Sequence, residues 1–169
     1  MALQNPRTGI EEPNRNDIPS MCEIFKNGQV YHHQLYPKIF CQPDNEEKIR
    51  AFISSFFKGR NPFRVQQRFA LGWFEDDELK GYLLYSLSKT SDVFHGEDRW
   101  SAYVDDIAVN EASRKKGIAS QLLNSLIKKV DDLGGGMISG QVWKQNTSSE
   151  VLFEKAGFEA AAKQFYRVI

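Results

Sequence analysis

Arg114-Lys115-Lys116-Gly117-Ile118-Ala119 sets three consecutive cations in front of a glycine and a nearly bare alanine. Residue types in that order suit the holding of an anion. Ile118, Leu122, Leu123, Leu126, Ile127, Val130 and Leu133 then recur at helical spacing, so Gly117 stands where a long helix begins. Glycine in a helix costs about 1 kcal/mol against alanine, so its use there calls for a reason. The first amides of a helix lack internal partners and carry partial positive charge. A residue without a Cβ lets a bulky anion reach them, and a pyrophosphate fits that description. A basic triplet on solvated surface, with a glycine kept for packing, also accounts for the residues. The chain has no GxxxxGK motif and no GxGxxG, and Gly134-Gly135-Gly136 follows the helix, where it reads as a stop.

The elements that must position this loop follow from pattern. NDIPSMCEIFKNG reads as a helix, capped by Asn16 or Asp17, with Pro19 in the first turn and Gly28 at the end. DNEEKIRAFISSFFKG reads as another, with Asp44 and Glu47 at capping-box spacing and Ile49, Phe52, Ile53, Phe56 and Phe57 on one face. Arg68 to Phe74 and Leu79 to Ser88 read as strands joined by the acidic turn Glu75-Asp76-Asp77-Glu78. A polar loop over Lys89 to Arg99 leads to a strand from Ser101 to Val109. The long helix follows, then a short apolar strand from Met137 to Val142. Strand, helix and strand make a βαβ unit. A short helix from Ser148 to Lys155 closes at Gly157, and a last strand is expected around Gln164 to Ile169. The fold class is α/β or α+β, with an antiparallel front half and a parallel crossover behind it.

Composition narrows the setting. At 169 residues a single domain spanning the chain is expected. Hydrophobic residues at 41% and charged residues at 26% are ordinary for a globular protein. Lys+Arg and Asp+Glu are both 22, so no net charge grips nucleic acid or membrane, and any basic site is local. Cys22 and Cys41 lie in apolar stretches without metal-ligand spacing, which suggests two inert thiols in a reducing cytoplasm. MALQNPRTG does not read as a signal peptide, and no apolar run reaches membrane-spanning length.

VDDIAVNEASRKKGIASQLL, followed by QNTSSEVLFEKAGF, resembles the GNAT superfamily of acetyl-CoA-dependent N-acetyltransferases. The family's cofactor loop runs Arg or Gln, two residues, Gly, one residue, Gly or Ala, which Arg114, Gly117 and Ala119 match. Its later helix carries a pattern with which Asn146, Ser149, Leu152, Glu154, Lys155, Gly157 and Phe158 fall in register. The resemblance is strong over Tyr103 to Phe158 and looser before that. It implies a mainly antiparallel central sheet flanked by helices, with a splayed parallel strand pair holding acetyl-CoA. Pantetheine would pair with the backbone of Ile107, Ala108 and Val109. Arg114, Lys115, Lys116, Gly117, Ile118, Ala119 and Ser120 would hold the pyrophosphate. Asn146 would touch the pantetheine arm or order its helix. Many members use a tyrosine as general acid for the leaving thiolate, and that position here is Phe153, which has no proton to give. Tyr166 or Ser149 could stand in, or the thiolate could leave unprotonated.

Such chemistry needs a base. An alkyl ammonium has a pKa near 10.4, so about one in two thousand is neutral at pH 7. In VDDIAV, strand alternation puts Asp105 with Ile107 and Val109 and turns Asp106 to the other face. A glutamate takes the place of Asp105 in polyamine N-acetyltransferases, so Asp105 is the expected base. Either aspartate could instead be a structural acceptor or bind a cationic substrate.

Other residues have plainer readings. His32 and His33 sit after the first helix, as surface or helix-end residues or as an acceptor-site wall. His95 stands in a loop, and Trp73, Trp100 and Trp143 suit core or rim packing. Glu75, Asp76, Asp77, Glu78, Asp92, Glu97 and Asp98 could attract a polyamine, or simply be solvated turns. No metal site is expected. Three readings stay open: transfer to a small amine, a polyamine or an amino-acid-like molecule; transfer to a protein N-terminus or lysine; and non-catalytic acyl-CoA binding. The resemblance also allows a homodimer.

Overall fold

The computed structural model describes residues 6–57, 66–90 and 99–168. Five strands form one sheet: β1 Gly9–Glu11, β2 Gln66–Glu75, β3 Glu78–Thr90, β4 Arg99–Val109 and β5 Gly136–Gly140. They lie in chain order, every neighbouring pair antiparallel except β4 and β5, which are parallel. Four helices flank the sheet: α1 Ile18–Leu35, α2 Glu46–Ser54, α3 Ile118–Asp132 and α4 Thr147–Lys155. The mixed, mainly antiparallel architecture is the expected one.

Strand alternation gives the sheet two apolar faces. On one, Ala70, Phe74, Tyr82 and Leu84 pack against Met21 and Ile24 of α1, Ile49 and Ile53 of α2, and Phe56. On the other, Leu71, Leu83, Tyr85, Ala102 and Val104 pack against Ile118, Leu122, Leu123, Leu126 and Val130 of α3 and Phe153 of α4. The α3 stripe is thus buried as its spacing implies, save Ile127, which is half-buried, and Leu133, which is 44% exposed beyond the helix end.

Several boundaries differ from expectation for local reasons. Gly28 does not end α1: its backbone stays helical and the helix runs seven further residues to Leu35, so His32 and His33 are in its last turn. Asp17 is the cap residue of α1, one of the two expected, but its side chain makes no cap hydrogen bond there; it completes a capping box with Asn14, which precedes the short 3-10 turn Arg15–Asp17. The Arg7 guanidinium also holds Asp17, at 2.8 Å. At α2 the cap is Asn45, whose side chain accepts from the Lys48 amide, rather than Asp44. The acidic hairpin forms as expected, with Asp76 and Asp77 both at positive φ, as a two-residue turn needs. The polar loop falls on 91–98, outside the described residues, as do His95, Asp92, Glu97 and Asp98; Lys89 and Arg99 are strand residues. The last strand does not form: residues 158–168 are irregular, with Phe165 and Val168 exposed. Cys22 is half-buried as expected, but Cys41 is exposed.

Candidate active site

Strands β4 and β5 stay paired only from Trp100 opposite Gly136 to Val104 opposite Gly140. A Cβ on Gly136 would stand 1.9 Å from the Trp100 carbonyl oxygen, so glycine is required where this parallel pair begins. Beyond Val104 the pairing stops because β5 ends at Gly140, and among the described residues the edge of β4 on that side has no strand partner; this opening at the end of the pair is the fork. Ile107, Ala108 and Val109 lie on that open edge, although the Arg114 side chain now donates to the Val109 carbonyl at 3.4 Å.

Asp105 sits at the fork, and there the backbone departs from simple alternation. Tyr85 pairs with Val104 and Leu84 with Asp106, so Asp105 is an extra residue in β4. Such a bulge re-aims side chains. The Asp105 carboxylate accepts from the Ser86 hydroxyl and that of Asp106 from the Tyr82 hydroxyl, both at 2.6 Å. Tyr82, Leu84 and Ser86 alternate along β3 on the α1/α2 face. Both carboxylates therefore turn toward α1 and α2, correcting the expectation that Asp105 shares a face with Ile107 and Val109 and opposes Asp106. Burial raises the Asp105 pKa, while the Ser86 hydrogen bond and the nearby Arg68 charge oppose the rise. Burial pushes Asp106 up to about 6, against the hydrogen bonds from Tyr82 and the Ile107 backbone and with help from the charge of Asp105.

The basic loop leads into α3 below this fork. Lys115 and Gly117 both have positive φ, at 64° and 78°. Gly117 is the cap residue of α3, and no side-chain hydrogen bond closes that helix end. A Cβ on Gly117 would meet nothing nearer than the Gln121 side chain at 3.9 Å, so space lies in front of it. Arg114, Lys115, Lys116 and Ser120 are exposed, Ala119 is half-buried and Ile118 is buried in the core. Turned amides, an uncapped helix start and surrounding cations together can hold a phosphate group. The glycine is needed for its left-handed backbone as well as for ligand approach.

Two further expected residues have structural partners. Asn146 is buried, and its side chain accepts from the Ser149 amide at 3.2 Å, ordering the start of α4. Phe153 is 8% exposed and packs edge-on against Phe158 at 4.9 Å; a Cβ on Gly140 would lie 2.9 Å from its ring. Its ring thus fills the space beneath the end of the strand pairing.

A set of aromatic residues completes the region. Tyr36 and Phe40, after α1, pack on Trp143, after β5, at 5.3 and 4.8 Å between ring centroids. Tyr166 packs on the same indole at 5.0 Å, and the Tyr36 hydroxyl accepts from the Gln145 amide at 2.9 Å. His32 touches Phe40 at 5.2 Å, its Nδ1 is buried without a partner, and burial lowers its pKa. His33 Nδ1 lies 2.6 Å from the Phe40 carbonyl. Tyr103 is 39% exposed; burial raises its pKa, and so do the charges of Asp105 and Tyr166. The sequence pointed to Asp105 and the loop but not to Tyr103, Tyr82, Ser86 or the aromatic bridge. The available signal was the Asp-Asp pair, which cannot alternate in a two-faced strand without burying one charge in a core.

Among the described residues no group of three or more His, Cys, Asp or Glu could hold a metal, and no helix is long and apolar enough to cross a membrane. Residues 30–158 match the model of the acetyltransferase (GNAT) family. The chain belongs to this family. Similar solved structures include a mutant form of a Bacillus halodurans protein, at 16% identity and TM-score 0.78, covering 95% of this chain and 98% of that one. An aminoglycoside 6′-N-acetyltransferase of Acinetobacter haemolyticus has 14% identity and TM-score 0.69, covering 96% and 98%. An aminoglycoside N-acetyltransferase in complex with CoA has 16% identity and TM-score 0.67, covering 99% of both chains. No curated protein matches the sequence. β4 carries both aspartates and runs on, through residues 110–117, to the start of α3.

Proposed function

We propose that the protein transfers an acetyl group from acetyl-CoA to a small primary amine by direct attack in a ternary complex. The observation that carries this reading is the fork beyond Val104 and Gly140, with Asp105 at its apex and an uncapped, cation-rimmed helix start beside it. Lys115 to Ser120 would hold the pyrophosphate, and the free edge of Ile107, Ala108 and Val109 would take the pantetheine amides once Arg114 moves aside. Bound there, acetyl-CoA supplies the activated acyl group. Asp105 removes the ammonium proton so that nitrogen can attack, and the rise in its pKa makes its carboxylate a stronger base. Ser86 fixes the carboxylate's orientation.

The small-amine reading is favoured over a peptide by the aromatic bridge. Tyr36, Phe40, Trp143 and Tyr166 tie the end of α1 to the end of β5, across the side of the sheet that Asp105 faces. A peptide needs an open groove on that side, whereas a small ammonium needs only a carboxylate among aromatic rings. That aminoglycoside acetyltransferases share the fold agrees with this choice.

Calorimetric titration with acetyl-CoA, with dephospho-CoA as a control, tests the cofactor. Thiol release with a linear polyamine, an aminoglycoside and an amino-acid amide, each in competition with a short peptide, tests the reaction. Micromolar binding with amine-dependent thiol release is expected. Binding without turnover for any amine would instead support an acyl-CoA-binding module, to which the buried Phe153 is suited.

A further inference from the structure

We propose that the acceptor is a zwitterion, an amino acid whose ammonium meets Asp105 while its carboxylate meets the Arg68 guanidinium; this rests on the transferase reading above. The strand register sets the two protein charges on one face. Arg68, Ser86 and Tyr103 are successive cross-strand partners on β2, β3 and β4, so their side chains leave the sheet on the same side. That side is the α1/α2 face, because Arg68 lies 5.2 Å from the centre of the Phe56 ring and Phe56 belongs to that core. In the middle of the row, the Ser86 hydroxyl donates to Asp105 at 2.6 Å, and the bulge in β4 is what turns Asp105 to this face. Only one strand spacing, about 4.8 Å, separates Arg68 from the residue that holds Asp105. The Arg68 charge reaches that carboxylate and opposes the rise in pKa that burial causes.

The guanidinium is placed but not spent. Its Nη1 donates to the Ser55 hydroxyl oxygen at 2.7 Å. Ser55 has already committed its own proton to the Phe52 carbonyl at 2.6 Å, so toward Arg68 it can only accept. That bond and the Phe56 ring fix the group beside the end of α2. Among the described residues no carboxylate pairs with Arg68, and its side chain is exposed, so the rest of the fork is open to a ligand. An unpaired cation beside the base disfavours a polyamine or an aminoglycoside, whose further ammonium groups it repels. It favours a carboxylate, which a guanidinium takes in a bidentate grip. Two opposite charges on one face would thus hold the acceptor at both ends and leave its nitrogen at Asp105.

Matched acceptors test this: free amino acids of increasing amine-to-carboxylate spacing, each against its own carboxamide. Thiol release from acetyl-CoA is followed for wild type and for Arg68→Gln. Wild type should favour the acid over its amide in kcat/KM by about tenfold or more at the best spacing, and Arg68→Gln should cut that preference by about tenfold or more. The preference is the readout because a general effect on Asp105, or on packing over Phe56, moves acid and amide alike and cancels. The difference in amine pKa between acid and amide cancels in the same comparison. Equal use of acid and amide by wild type overturns the inference, and so does a preference that survives in Arg68→Gln. If a polyamine or an aminoglycoside is acetylated and no amino acid is, the transferase reading stands and this inference alone fails. If no amine of any kind releases thiol, the transferase reading fails first and this inference falls with it.

Discussion

Two neighbouring carboxylates share one face, yet their surroundings give them different work. Asp106 is bonded to Tyr82, which is wholly buried, whereas Asp105 stands at the fork beside the half-exposed Tyr103. Asp105→Asn should lower kcat/KM by about a hundredfold or more at neutral pH. The deficit should shrink as pH rises toward the amine's own pKa, where free amine no longer limits attack; parallel pH–rate profiles check this, and a constant deficit would remove Asp105 as the base. Asp106 makes a separate prediction about stability. A carboxyl with a raised folded pKa binds its proton more tightly in the folded state. Its contribution is therefore present at low pH and lost as pH rises from the unfolded value, near 3.9, through about 6. Asp17 runs the other way: burial would raise it, but Arg7 and the Asn14 amide prevail and lower it, so its contribution is lost as pH falls. Thermal melts should show Asp106→Asn gaining on wild type as pH rises from 4 to 7, while the deficit of Asp17→Asn should shrink as pH falls below about 4. Parallel curves for wild type and Asp106→Asn would mean that Asp106 is not strained by burial.

The elements holding these groups were legible in unequal degree. α3 was plain in its apolar stripe, and the β2–β3 hairpin in its acidic turn, because both signals are local. The bulge at Asp105 was not, because alternation assumes one residue per partner and only the β3 register shows the extra one. The start of α3 was predicted as an anion site on the strength of Gly117, but the φ of 78° means that replacing this glycine also strains the backbone. Ser120→Glu is the cleaner test. Position 120 is exposed in the first turn of α3, where a negative side chain favours the helix by about 0.3–1 kcal/mol. The same charge would repel a pyrophosphate. Melting temperature should hold or rise slightly while acetyl-CoA affinity falls at least tenfold by calorimetry. Unchanged affinity would mean the loop binds no phosphate; a lower melting temperature would mean the helix start is already satisfied in another way.

At the scale of the molecule, one sheet separates two layers that meet the site from opposite sides. The α3/α4 layer presents the loop and Phe153, and the α1/α2 layer faces the carboxylates. What joins them past the fork is the cluster around Trp143, made by residues more than a hundred positions apart, such as Tyr36 and Gln145. No periodicity encodes such a contact, and the same reason explains the missing last strand. The run Phe165-Tyr166-Arg167-Val168 has strand-like residues, but strand propensity is realised only with a ladder partner. Tyr166 is engaged instead with Gln141 and Trp143. Trp143→Ala removes the common partner of three rings, so the end of α1, the loop after β5 and the C-terminal segment should loosen together. Its stability cost should be about 2 kcal/mol, below that of a fully buried tryptophan because the indole is half-exposed. The cofactor loop lies on the other layer, so acetyl-CoA affinity should be preserved. If the bridge excludes peptides, the variant should lose preference among acceptors, with KM for the small amine rising and a short peptide becoming a better competitor. Retained small-amine KM and unchanged peptide exclusion would show that the acceptor is bounded elsewhere and that this bridge does not set the preference.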